Sequence, residues 1–100
     1  MLVSSKIFSV SVKGMASVRY NGNKNVTGKR LKALRDKRDL TQGELAAKMQ
    51  TMGFVLDQQA ISNIENNKRT VTDFELAGFC KALRCSEKDL LQEFYEDLNS

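Results

Sequence analysis

Three observations predict an all-α fold of four or five helices preceded by an N-terminal arm. From Gly28 onward apolar residues recur at helical spacing. Thr41 with Glu44, and Thr72 with Glu75, each set a hydroxyl three residues ahead of a carboxylate, the reciprocal pairing that starts a helix. A chain of 100 residues with 41% hydrophobic content has enough apolar surface for one buried core and too little for two. The chain therefore divides into an arm, residues 1–25, and one helical domain, residues 26–100.

In the arm, Phe8, Val10 and Val12 alternate with Ser9, Ser11 and Lys13, a period of two that suits a short strand. Asn21-Gly22-Asn23-Lys24-Asn25 is a turn or linker by composition. A lone strand has no partner in this sequence, so three readings stay open: pairing across a dimer, disorder, or an extension preceding a start at Met15.

The first helix starts at Gly28 and ends near Asp39, with Leu31 and Leu34 facing inward and Lys29, Arg30, Lys32, Arg35 and Lys37 forming a basic surface. Thr41 caps the second, whose inner stripe is Leu45, Ala46 and Met49. Gly53 stops it, because glycine accepts the left-handed backbone of a helix end. Phe54, Val55 and Leu56 are expected to plug the core. Asp57 caps the third helix, in which Ala60, Ile61 and Ile64 share one face while Gln58, Gln59, Ser62, Asn63 and Asn66 share the other. Asn67 suits a left-handed backbone, and Lys68-Arg69-Thr70 follows. Thr72 opens the fourth helix, with Leu76, Phe79, Cys80 and Leu83 inward. Ser86 and Asp89 open the fifth, which carries Leu90, Leu91, Phe94, Tyr95 and Leu98.

Charge is distributed unevenly. Residues 1–24 carry four basic and no acidic residues, 25–69 nine against five, and 70–100 three against seven. A polyanion would be repelled by the last third, so a nucleic-acid face belongs on the first two thirds. There is no histidine, and Cys80 and Cys85 alone supply too few ligands for zinc, so no metal and no cofactor is expected. The cysteines read as small buried residues in a reducing cytosol. Without histidine or a glycine-rich phosphate loop after a strand, an enzyme is hard to assemble. No apolar run approaches the roughly 20 residues that span a bilayer. The serine-broken start is a weak secretory signal, which makes a cytoplasmic location the default.

The amide face of the third helix carries the chemistry. A carboxamide matches the paired acceptor and donor that adenine shows in the major groove, which makes Gln58, Gln59, Ser62 and Asn63 candidate base readers. Phosphate anchors would meet the backbone without reading it: Gln42 and Gly43 at the positive end of the second helix, then Lys68, Arg69 and Thr70, with Asn66 beside them. Lys29, Arg30, Lys37 and Arg38 serve equally well as a solvated face. The arm cations Lys13, Arg19 and Lys24 are free either to reach the duplex or to lie in solvent.

These blocks resemble the helix-turn-helix domain of the lambda repressor and Cro type, also called the XRE family. The likeness runs from about Gly28 to Leu91 and rests on Gly28 to Arg35, Leu40 to Ala46, Ile61 to Asn66, Lys68-Arg69 and Lys81-Ala82-Leu83. It implies a compact five-helix lambda-repressor-like bundle whose second and third helices form the DNA-reading unit. It also implies that Gln42 touches phosphate, and that Arg35 and Glu65 form a structural ion pair pinning helix one to helix three. The Gln58-Gln59 opening looks like that of some lambdoid phage repressors. In three places the chain departs from the family pattern. Gln50 to Leu56 makes the connection between helices two and three about five residues longer than the usual tight turn, and Asn67 and Asp39 stand where glycine is frequent.

The expected activity is that of a repressor occupying a palindromic operator on double-stranded DNA as a homodimer, with Leu91, Phe94, Tyr95 and Leu98 as the candidate dimer surface. An antitoxin that also represses its own operon would add a toxin as protein partner. A protein-interaction module on the same fold would leave helix three idle. No membrane partner is expected.

Overall fold

The computed structural model describes residues 20–99. Six helices follow one another: α1 Gly28–Lys37, α2 Gln42–Thr51, α3 Gln58–Glu65, α4 Asp73–Leu83, α5 Glu87–Leu90 and α6 Gln92–Asn99. Among the described residues there is no strand, only an isolated antiparallel bridge between Tyr20 and Asn23. Asn21 (φ 49°) and Gly22 (φ 81°) turn the chain there, the left-handed pair that a tight two-residue turn needs. The expected strand around Phe8, Val10 and Val12, and the alternative start at Met15, lie outside the described residues.

The helix starts follow side-chain chemistry written locally. Thr41 and Glu44 exchange bonds of 3.0 and 2.8 Å, Thr72 and Glu75 bonds of 3.2 and 3.0 Å, and Ser86 and Asp89 bonds of 3.1 and 3.0 Å. Asp57 accepts from Ala60 N at 2.8 Å and so opens α3. The helix ends share a second device. At Asp39, Gly53, Asn67 and Arg84 the backbone turns left-handed, with φ of 56°, 93°, 61° and 55°. The following amide then reaches back five residues to a helix carbonyl, as in Lys68 N to Asn63 O at 2.7 Å and Phe54 N to Met49 O at 3.1 Å. Only one of the four residues is glycine, so the other three stops carry side chains free for further contacts.

The core is assembled from every helix up to α5: Leu31 and Leu34, then Leu45, Ala46 and Met49, then Ile61 and Ile64, then Phe79, Cys80 and Leu83, and finally Leu90. The connection between α2 and α3 differs from the expected plug. Leu56 is 2% exposed and Phe54 is half-buried, but Val55 is 98% exposed. Extended backbone sends neighbouring side chains to opposite sides, so three consecutive apolar residues cannot all face the core. The Phe54 ring lies against Gly78, where an added Cβ would come within 2.6 Å of it, and stacks on Phe74 at 6.5 Å. Gln50 Nε2 donates to Leu56 O at 2.8 Å and ties the connection to the end of α2.

The expected fifth helix is divided at Leu91 (φ −105°, ψ 10°) into α5 and α6. Leu90 enters the core, whereas the half-buried Phe94 packs edge-on against Tyr20, ring centroids 5.1 Å apart. Tyr95 and Leu98 stay 43% and 55% exposed. Cys80 and Cys85 are free thiols, and burial pushes Cys80 up to about 12.

Candidate nucleic-acid interface

The polar face of α3 is held in position from three sides. At its start the Asp57 cap leaves Gln58 and Gln59 on the first turn, beside the start of α2. A Cβ at Gly43 would lie 3.7 Å from Gln58 Oε1, so the N-termini of the two helices sit together. Gln42, Asp57, Gln58, Gln59 and Ser62 line one open cleft. At the middle of the domain, Arg35 of α1 meets Glu65 of α3 through Nε to Oε2 at 2.7 Å and Nη2 to Oε1 at 3.1 Å, with side chains only 9% and 2% exposed. Arg35 Nη1 also donates to Leu40 O. The Glu65 carboxylate holds the guanidinium above its ordinary value.

At the far end of α3 the segment before α1 closes over the helix terminus. Asn25 Nδ2 donates to Ile64 O at 3.0 Å and Arg69 O at 2.8 Å, while Asn25 Oδ1 accepts from Thr27 N and Gly28 N. The amide of Asn25 thus caps α1 and binds the end of α3 at once. Gly28 is required at this meeting point, because a Cβ there would run into Ile64 O.

The expected base readers are all on this face. Gln58 is exposed and its amide has no hydrogen-bond partner among the described residues. Gln59 Nε2 donates to Asn63 Oδ1 at 3.0 Å, which presents the two amides as a linked pair. Ser62 is half-buried, and its backbone oxygen and hydroxyl accept from Asn66 Nδ2 at 2.9 and 3.3 Å. The expected phosphate anchors divide. Gly43 lies at the open start of α2. Gln42 Nε2 turns inward to Glu65 Oε1 at 3.0 Å, leaving one amide hydrogen for another partner. Lys68 and Thr70 are exposed.

Arg69 is placed otherwise than as a free cation. Its guanidinium forks onto Glu75, Nη1 to Oε1 at 3.0 Å and Nη2 to Oε2 at 2.9 Å, and Nη1 also donates to Thr70 O. Arg69 holds the Glu75 carboxyl below the usual carboxylate range, and Glu75 in turn raises Arg69. Two cations of the first basic stretch are engaged as well: Arg30 Nε donates to Asp89 O at 3.0 Å and Arg38 Nε to Leu83 O at 2.9 Å. Arginine near a helix end satisfies the carbonyls that the helix leaves open. Sequence reasoning missed these staples and the double role of Asn25. The one signal for Asn25 was its place just ahead of a helix start.

The model of the helix-turn-helix family matches residues 31–90, which include α2, α3 and the core around them. The chain belongs to the helix-turn-helix family, of the lambda repressor and Cro type. As a member it is a DNA-binding helix-turn-helix regulator, and its all-helical architecture agrees with that family's bundle. Neither the curated proteins nor the solved structures contain a significant match to this chain. No helix among the described residues is long and apolar enough to cross a membrane.

Proposed function

We propose that this helix-turn-helix protein is a sequence-specific repressor that occupies a palindromic operator as a homodimer. Helix α3 lies in the major groove, with Gln58, Gln59, Ser62 and Asn63 toward base edges. Gln42, Gly43, Asn66, Lys68 and Thr70 meet phosphate on either side, and Arg69 acts mainly by orienting the loop after α3 through Glu75. The observation that carries this reading is the amide row of α3, opened by an unpartnered Gln58 beside the positive end of α2. A carboxamide held there offers a base edge two hydrogen bonds, worth about 1 to 3 kcal/mol of discrimination. The exposed Tyr95 and Leu98 of α6, beside the half-buried Phe94 and the Leu91 that precedes the helix, support dimerisation on that side. Two reading helices about 10 base pairs apart would then face one side of the duplex.

Binding to duplex DNA over a salt series tests the proposal. The expected result is affinity that falls steeply with salt, and loss of sequence preference with residual affinity in Gln58→Ala and Gln59→Ala. Salt-insensitive or absent binding would overturn it.

A further inference from the structure

We infer that Asn67 is a latch that holds Lys24 beside Lys68, forming a phosphodiester-binding site at the end of α3 that the helix-turn-helix unit does not itself supply. The inference rests on the proposed seating of α3 in the groove. Glycine adopts the left-handed backbone of a helix stop at least cost, yet Asn67 (φ 61°) occupies the position, and both ends of its amide are engaged. Asn67 Oδ1 accepts from Lys24 N at 2.8 Å and Asn25 N at 3.3 Å, and Asn67 Nδ2 donates to Asn23 Oδ1 at 2.7 Å. Asn25 returns the contact through Ile64 O and Arg69 O.

The segment ahead of α1 is therefore sewn along the loop that closes the reading helix. On its other side the tight turn at Asn21-Gly22 and the Tyr20 ring on Phe94 fix it again. Between these two anchors the backbone of Lys24 has little freedom left to lose on binding. Its backbone N–H bonds the residue next to Lys68, which brings residues 24 and 68 to one corner of the fold. Neither has a carboxylate partner among the described residues, whereas neighbouring Arg69 is neutralised by Glu75. Two unpaired ammonium groups just past the end of a groove-seated helix suit the phosphate backbone flanking the bases that helix reads.

The test is a salt series with the full chain and a mixed-sequence duplex, comparing the slope of log affinity against log salt. Lys24→Gln keeps the backbone donor to Asn67 and removes only the charge. Asn67→Gly keeps the helix stop and removes only the latch. Each is expected to lower the slope by about one, the contribution of a single phosphate contact, and the double variant is expected to lose no more than either alone. Lys88→Gln, in the acidic last third, is expected to leave the slope unchanged. A salt-sensitive wild type with an unaltered slope in Lys24→Gln would overturn the site, and additive losses in the double variant would overturn the latch. A wild type without DNA affinity would instead remove the DNA-binding reading beneath both.

Discussion

Arg35 and Glu65, 30 positions apart, meet as a two-pronged ion pair in the interior and join α1 to α3. Gln42 Nε2 lies on the same carboxylate, so the start of α2 is tied to the pair as well. One buried carboxylate thus sets three helices relative to one another. Arg35→Met strands the Glu65 carboxylate away from water and is expected to cost about 3 to 5 kcal/mol, whereas Glu65→Leu leaves Arg35 the exposed Asp36 at 3.2 Å and is expected to cost less. Urea unfolding midpoints check this. The double variant Arg35→Met with Glu65→Leu is expected to recover a large part of the loss, because no lone charge remains buried.

Glycine positions separate by what lies above them. Gly28→Ala drives a methyl into the Ile64 carbonyl and close to Glu65 Cα, both backbone atoms that cannot swing aside. A loss of about 1 to 3 kcal/mol or more is expected, with α1 displaced from α3. Gly43→Ala meets only ordinary contacts and is expected to stabilise α2 by up to about 1 kcal/mol. Thermal melts of the two variants should move in opposite directions.

Stability is expected to fall through Glu75 as pH drops below the unfolded carboxylate range. Its folded carboxyl is depressed chiefly by the hydrogen bonds from Arg69, so its contribution is complete above the unfolded carboxylate range and is lost as pH falls through the folded value. Melting from neutral pH down through the carboxylate range should show this loss in the wild type. In Arg69→Gln the same acid-dependent loss should shrink, with lower stability already at neutral pH.

Thiol chemistry distinguishes the two cysteines. With Cys80 pushed up to about 12 by burial, almost no thiolate exists near neutral pH, and alkylation of the folded protein is expected to spare it. The half-buried Cys85 is expected to react first, more slowly than a free thiol. Mass spectrometry after labelling, with and without urea, reads both sites. Rapid modification of Cys80 in the folded protein would contradict the core packing around Phe79 and Leu83.

Much of this architecture was legible because it is encoded at short range. Capping boxes at Thr41 and Thr72, the Asp57 cap and the two faces of α3 depend on residues three or four apart. Gly53 declared its left-handed turn by being glycine. Arg84 adopts the same turn with no local signature, because its conformation follows from the closing hydrogen bonds of α4 rather than from its side chain. Partner choice at long range was equally hidden. Arg69 and Lys68 look alike in sequence, and only the approach of Glu75 separates a paired cation from an exposed one. For Val55 the composition of the connection pointed inward, whereas the alternation of its extended backbone points outward. The fifth helix read as continuous, since its division at Leu91 has no proline or glycine to mark it.

The central claim is that α3 reads DNA through its amide row. Selection of bound duplexes from a random pool, run in parallel for the wild type and Gln58→Ala, tests it most directly. The expected outcome is a symmetric motif with half-sites about 10 base pairs apart, in which Gln58→Ala relaxes one position of each half and leaves the others. Enrichment of no motif by the wild type, or an identical motif with undiminished preference in Gln58→Ala, would contradict it.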